Sequence, residues 1–219
     1  SPDSQSPPEY HGTARIGIVN GDQITYSNEY KFRNFGFSYE FVFAFDPSVA
    51  NKLVVTYKDT IPQYSSPNNA GRHSADVGTI SILASDPTGF RITWGGPMDV
   101  GTNAYNTKIH ITDIAFDPNR PGQFCITSSQ WLASLVDQGI MIAGQVSSSG
   151  TGTTISWGAE KVFSSYSDLA VHYTYYSSNR GMRQEYNPNV AGRLVVTWNM
   201  GFGTAYNNFS TGNYGMMRA

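Results

Sequence analysis

Hydrophobic and polar positions alternate with a period of two along most of the chain. In NKLVVTYK, which starts at Asn51, the residues Leu53, Val55 and Tyr57 fall on one face, while Lys52, Thr56 and Lys58 share the other with Val54. Successive side chains of a β-strand point to opposite sides, so this pattern predicts strands. The first such runs are GTARIGIV, ITYSNEYKF, YEFVFAFD and NKLVVTYK, and linkers such as VNGDQ, FDPSVAN and SSSGTGT separate runs of this kind. Their Asn-Gly, Asp-Pro and Gly-Ser steps supply the positive φ angles and preset turns of tight hairpins. The closest approach to a helical period, SQWLASLVDQGI, is short and stops at a glycine. The expectation is an all-β chain with almost no helix.

The pattern also repeats. One block reads FAFDPSVANKLVVTYK from Phe43, IAFDPNRPGQFCITSS from Ile114 and QEYNPNVAGRLVVTWN from Gln184. Anchored on Phe45, Phe116 and Tyr186, the copies are 71 and 70 residues apart, and Leu53, Phe124 and Leu194 keep that register. A second block precedes each copy, with Gly17, Gly78 and Gly144 aligned ahead of a turn and a short strand at Ile24, Ile92 and Ile155. Its steps are 61 and 66 residues, as expected when strands are fixed and loops vary.

Each copy offers about four short strands, which predicts an array of about three four-stranded antiparallel units of the β-propeller kind. The alternative is a β-sandwich. Residues 1–11, rich in proline, read as a flexible leader or arm. Residues 12–219 read as a single repeat-built domain with repeats at about 12–71, 72–139 and 140–219. GTAR at residues 12–15 matches GMMR at residues 215–218, so the chain opens and closes on the same recurring strand. This leads us to expect a piece of a larger array, or one completed by another copy of the chain, because a bare strand edge is adhesive.

Composition narrows the function. The chain has 219 residues, 14% of them charged, with 14 Lys and Arg against 16 Asp and Glu. A net charge of -2 without a basic run argues against a nucleic-acid partner, whose phosphates call for clustered cations. No apolar stretch is long enough to span a bilayer, and SPDSQSPPEY does not read as a signal peptide, so a soluble chain without membrane insertion is expected. The one cysteine, Cys125, rules out an internal disulfide and a multi-thiolate metal site.

Chemistry-bearing motifs are scarce. His11, His73, His110 and His172 never fall at metal-binding spacing, and no GxSxG, GxGxxG or GxxxxGK occurs. Cys125 occupies the position of Val54 and Val195 in the other copies and so reads as a core residue. Asp46, Asp117 and Asn187 each precede a proline at a strand end, where either side chain caps a turn. Asp86, Asp99, Asp113, Asp137 and Glu160 are scattered singly and suggest no acid/base pair. SDPTGFRITW, from Ser85, approaches the Asp-box of sialidase propellers, but Ser85 is adjacent to Asp86, which breaks the motif's spacing. No catalytic residue, metal or cofactor is expected.

Aromatic residues in or near polar loops remain. Tyr64, Trp131, Tyr166, Tyr173, Tyr175, Tyr176, Tyr206 and Tyr214 combine flat apolar faces with adaptable Ser and Asn neighbours. Such groups suit a glycan or a protein partner, a subunit contact being the alternative to a glycan site.

The elements G-T-A-x-x-G-x-V-x-G-x-x-I-T-x-S at residues 12–27, F-D-P at 45–47 and N-K-L-V-V-T-Y-K-D at 51–59 resemble repeats of bacteriophage tail-fibre and other virion structural proteins. The likeness is clearest in the first repeat and extends loosely to residue 219. It implies a virion appendage, either a tail fibre or a decoration component. Its partners would be other copies of itself, other virion proteins and host surface polysaccharide. A secreted or cell-surface bacterial adhesin or lectin is the alternative, and a polysaccharide depolymerase comes third.

Overall fold

The computed structural model describes residues 12–33, 37–60, 71–101, 109–133, 136–147, 153–164, 182–200 and 214–218. Among these residues every regular element is a strand, and there is no helix. A leading module holds β1 (Thr13–Ala14), β2 (Gly17–Asn20), β3 (Gln23–Tyr26) and β4 (Tyr30–Lys31), with β1 paired to β4 and β2 to β3. The first sheet has the order β5 (Phe37–Phe45), β6 (Lys52–Thr60), β7 (Gly71–Ile82), β8 (Phe90–Trp94), and β9 (Met98–Asp99) also pairs with β7. The second repeats this plan with β10 (Ile109–Phe116), β11 (Gln123–Ala133), β12 (Val136–Ser147), β13 (Thr154–Trp157), and β14 (Lys161–Ser164) against β12. The third has β15 (Arg183–Tyr186), β16 (Leu194–Met200) and β17 (Tyr214–Arg218). All pairings between these strands are antiparallel.

The chain is therefore all-β, but it is not three four-stranded units. GTARIGIV and ITYSNEYKF do not share a sheet with YEFVFAFD and NKLVVTYK. Instead, β6 pairs along its length with β7, placing Leu53 opposite Gly78. Consecutive strands pair with their nearest neighbours, which shifts the phase of the unit to β5–β9. The described residues show neither a closed ring nor a barrel.

The leading module reproduces the second half of the first sheet. Gly17 faces Tyr26 as Gly78 faces Trp94 and Gly144 faces Trp157. The Phe32 amide donates to the Gly12 carbonyl as Val100 donates to His73, and Ser27 donates to Ile16 as Gly95 donates to Val77. Residues 12–32 thus match residues 73–100 in register.

The units stack in one sense. Val54, Ala75 and Val77, on one face of the first sheet, share a core with Phe116, Phe124, Ile126, Ile142 and Ile155 of the second. We call the Val54 face of each sheet its forward face and the Leu53 face its rear. The forward face of the second sheet, through Met141, meets Val196 and Leu194 on the rear of the third, with Met182 and Phe163 filling the gap. Phe32 of the leading module packs on Val55, Tyr57 and Trp94, at the rear of the first sheet. Both faces of β6 and β11 are therefore covered, and residues 53–58 and 124–129 are all buried. A fully buried Val, Leu, Ile or Phe contributes about 1.5–3 kcal/mol, so this stacking is a main source of stability.

Candidate functional site

The joints between units carry most of the specific chemistry on view. Asp46 follows β5. Its Oδ1 accepts the turn amides of Ser48 and Val49 at 2.8 and 3.1 Å, which is the expected cap. Its Oδ2 reaches into the next unit and accepts the Gly122 amide at 2.8 Å. Asp117 repeats this arrangement, holding Asn119 at 2.9 Å through Oδ1 and Gly192 in the third sheet at 2.6 Å through Oδ2. Gly122 and Gly192 have φ of 76° and 74°, and Asn51, the equivalent residue of the first sheet, has 64°. A glycine adopts this left-handed conformation without the steric cost a side chain brings, and asparagine tolerates it better than most residues.

Further bonds cross the same joints. Ser48 Oγ donates to the Pro118 carbonyl at 2.8 Å, and Asn119 Nδ2 donates to the Pro188 carbonyl at 3.2 Å. Asp113 takes the Gln184 amide at 2.8 Å, and Gln184 Nε2 donates to the Cys125 carbonyl at 2.6 Å. Burial raises the Asp113 carboxyl pKa, while the amides of Gln184 and Ile114 and the Arg183 charge pull it back. In the third unit the acceptor is Asn187, whose Oδ1 caps Asn189 at 2.9 Å.

The leading module is held by Asp86. Its Oδ1 accepts the Thr88 amide and hydroxyl, and its Oδ2 accepts the Asn28 amide at 2.9 Å and the Tyr30 hydroxyl at 2.6 Å. Burial pushes this carboxyl up, but the bonds from Thr88, Tyr30 and Asn28 outweigh that and hold it well below the usual carboxylate range. Beside it lies an open cleft of about 570 Å³, lined by Tyr30, Phe32, Asp76, Arg91, Trp94 and Pro97 among others. Asp76 Oδ1 accepts the Gly96 amide at 2.8 Å. Burial pushes its carboxyl up to about 7, opposed by the amides of Gly96, Val77 and Gly95 and by the Arg33 charge.

Cys125 is buried as expected, opposite Ala115 and Ala143, and burial pushes its thiol up to about 12. Such a thiol is unreactive at neutral pH. His73 lies on β7, fully buried and 3.3 Å from the Thr56 hydroxyl; burial and the Lys58 charge push its pKa down to about 3. Among the described residues no group of three or more His, Cys, Asp or Glu is placed to hold a metal.

Of the aromatics singled out in the sequence, Trp131 stands on β11 opposite Asp137, and Tyr214 opens β17 opposite Met200. Tyr64, Tyr166, Tyr173, Tyr175, Tyr176 and Tyr206 lie outside the described residues. A different aromatic row comes to the fore. Phe41, Phe43 and Phe45, on the rear of β5, are 56, 64 and 55% exposed, whereas Ile114, Phe116 and Tyr186 at matching positions are 5, 6 and 8% exposed. Their spacing of two was visible in FVFAF, but only the stacking shows that this copy is uncovered. No family model, curated protein or solved structure matches this chain.

Proposed function

We propose that this chain is a structural component of a virion appendage, a tail fibre or decoration, built as a propeller-like array and working through assembly rather than catalysis. Its partners are copies of itself and other virion proteins, and its setting is the extracellular particle. The observation that carries this reading is the exposed row Phe41, Phe43 and Phe45 on the rear of β5, whose counterparts in the following sheets are covered among the described residues. A contiguous row of three exposed phenylalanines beside repeated, hydrogen-bonded joints supports reading this face as an interaction surface. The resemblance of residues 12–27, 45–47 and 51–59 to phage repeats supplies the virion context.

Host surface polysaccharide is the proposed ligand of the loop aromatics, and multivalent display would raise weak affinities by roughly 100- to 10,000-fold. The cleft beside Trp94 favours a second reading, a secreted adhesin or lectin, since an indole with nearby polar groups suits a sugar ring. Incubation with polysaccharide from candidate hosts tests both. Retention without shortening of the glycan is expected, and shortening would point to a depolymerase. Antibody detection of the chain on purified phage particles would separate virion from cell surface, and its absence from particles would overturn the leading reading.

A further inference from the structure

We infer that a second copy of this chain pairs with the open edge of β1 and β2, its strands β15 and β16 taking the places that β5 and β6 hold beside β7, with β17 displaced from β16. This deepens the assembly reading above and rests on it. Residues 12–32 match residues 73–100, so β1 and β2 are a third strand with its later partners in place. In the first and second sheets that strand has a further neighbour, β6 or β11. Among the described residues, β1 and β2 have none on that side.

The geometry of this edge is explicit. The hairpin closes on the pair Asn20 and Gln23, and Ser27 bonds to both the carbonyl and the amide of Ile16. Alternation along the strand then turns the amides and carbonyls of Arg15, Gly17 and Val19 toward the open side. Such a row of unpaired backbone groups is a template for another strand.

Side-chain space tells the same story. A Cβ on Gly144 would lie 2.3 Å from Phe124, and one on Gly78 would lie 3.0 Å from Leu53 as well as 2.7 Å from Trp94 of its own hairpin, so in both sheets the neighbouring strand lays a large side chain over the glycine. A Cβ on Gly17 would meet nothing closer than 3.5 Å, from Ile24 and Tyr26 of its own hairpin. Gly17 is a seat without an occupant, and Leu194 is the residue of the third sheet that matches Leu53 and Phe124. Two strands added at this edge would also lie over Phe41, Phe43 and Phe45, as β5 and β6 lie over Ile114 and Phe116.

The joint formed in this way would bring Asn187 to Asn51. The two joints within the chain pair an Asp carboxylate with a glycine amide. Here the accepting oxygen is replaced by Asn187 Nδ2, a donor, so the bond of this joint would run from Asn187 Nδ2 to Asn51 Oδ1 rather than from a backbone amide to a carboxylate. Residues 12–15 would take the register on β16 that residues 215–218 hold in this structure, so β17 competes with the incoming strand.

Val54 pairs with Val77, whose carbonyl is turned away to Gly95, so the matching positions, Val195 and Ile16, form the closely spaced kind of pair that accepts a disulfide. In a Cys125→Val background, Ile16→Cys chains and Val195→Cys chains are mixed and oxidised. The expected product is a reducible covalent dimer twice the 24.0 kDa chain mass. A chain carrying both cysteines that instead closes on itself as a monomer would overturn the assignment to a second copy. Gly17→Val leaves the isolated hairpin room and is expected to weaken association at least tenfold, whereas removing residues 214–219 is expected to strengthen it. A monomer by light scattering at all accessible concentrations would defeat both this interface and the assembly reading. An oligomer that neither cross-links nor responds to Gly17→Val would defeat the interface alone.

Discussion

Replacing Asp46 by Asn tests whether the joints hold the stack together. Oδ1 and its two turn bonds can survive the change, but the atom facing the Gly122 amide becomes a donor. That amide is buried and its bond is to a charged group, so its loss costs about 1.5–3 kcal/mol. For a chain of this size that is a fall in melting temperature of roughly 2–4 °C per kcal/mol. Asp46→Ala removes the turn cap as well and costs about 0.5–2 kcal/mol more. Asn187→Asp, measured at a concentration where the chain is monomeric, is the control, since no following unit of the chain bonds to the Asn187 side chain among the described residues. Urea titration at constant slope gives the free energies, and amide hydrogen exchange at Gly122 gives the local effect. An Asp46→Asn chain within about 0.5 kcal/mol of wild type, with Gly122 still protected, would refute the argument.

Gly144→Ala forces a methyl group into the Phe124 ring and should cost about 1–3 kcal/mol in urea titration, while Gly17→Ala should cost far less. Cys125 should resist alkylation in the folded chain and react at the rate of unfolding, and Cys125→Val should change stability by under about 1.5 kcal/mol. Asp76, with its carboxyl raised from 3.8 to about 7, keeps a proton in the folded chain that the unfolded chain has released, so its contribution to stability falls as pH rises through that interval. His73, lowered from 6.5 to about 3 and facing Lys58, acts in the opposite sense as pH rises toward 6.5. Asp76→Asn should therefore gain on wild type with rising pH, by at most about 1.4 kcal/mol per unit, when urea midpoints at pH 4.5 and 7 are compared. A constant difference would contradict the assignment.

The strands and their repeat were legible because both are written locally. Leu53, Phe124 and Leu194 align in sequence and occupy matching positions on β6, β11 and β16, opposite Phe45, Phe116 and Tyr186. The phase of the unit was not legible, since a periodic pattern has no intrinsic starting point and only hydrogen bonding shows that β6 pairs with β7. The turn-capping role of Asp46 and Asp117 followed from the Asp-Pro steps. The second oxygen of each went unread because its partner, Gly122 or Gly192, lies 75 or more residues away. Phe43 and Phe45 could be assigned to strand faces, but their exposure depends on which units have neighbours.

The uniform sense of the stack bears on how such a chain can change length over evolutionary time. Each joint between successive sheets is made by one turn and the turn about 70 residues further on, so duplicating a whole repeat would lengthen the array while leaving those contacts chemically intact. Duplicating half a repeat would strand Asp46-type acceptors opposite the wrong partner. Viable size variants of this architecture should therefore differ by integral numbers of repeats.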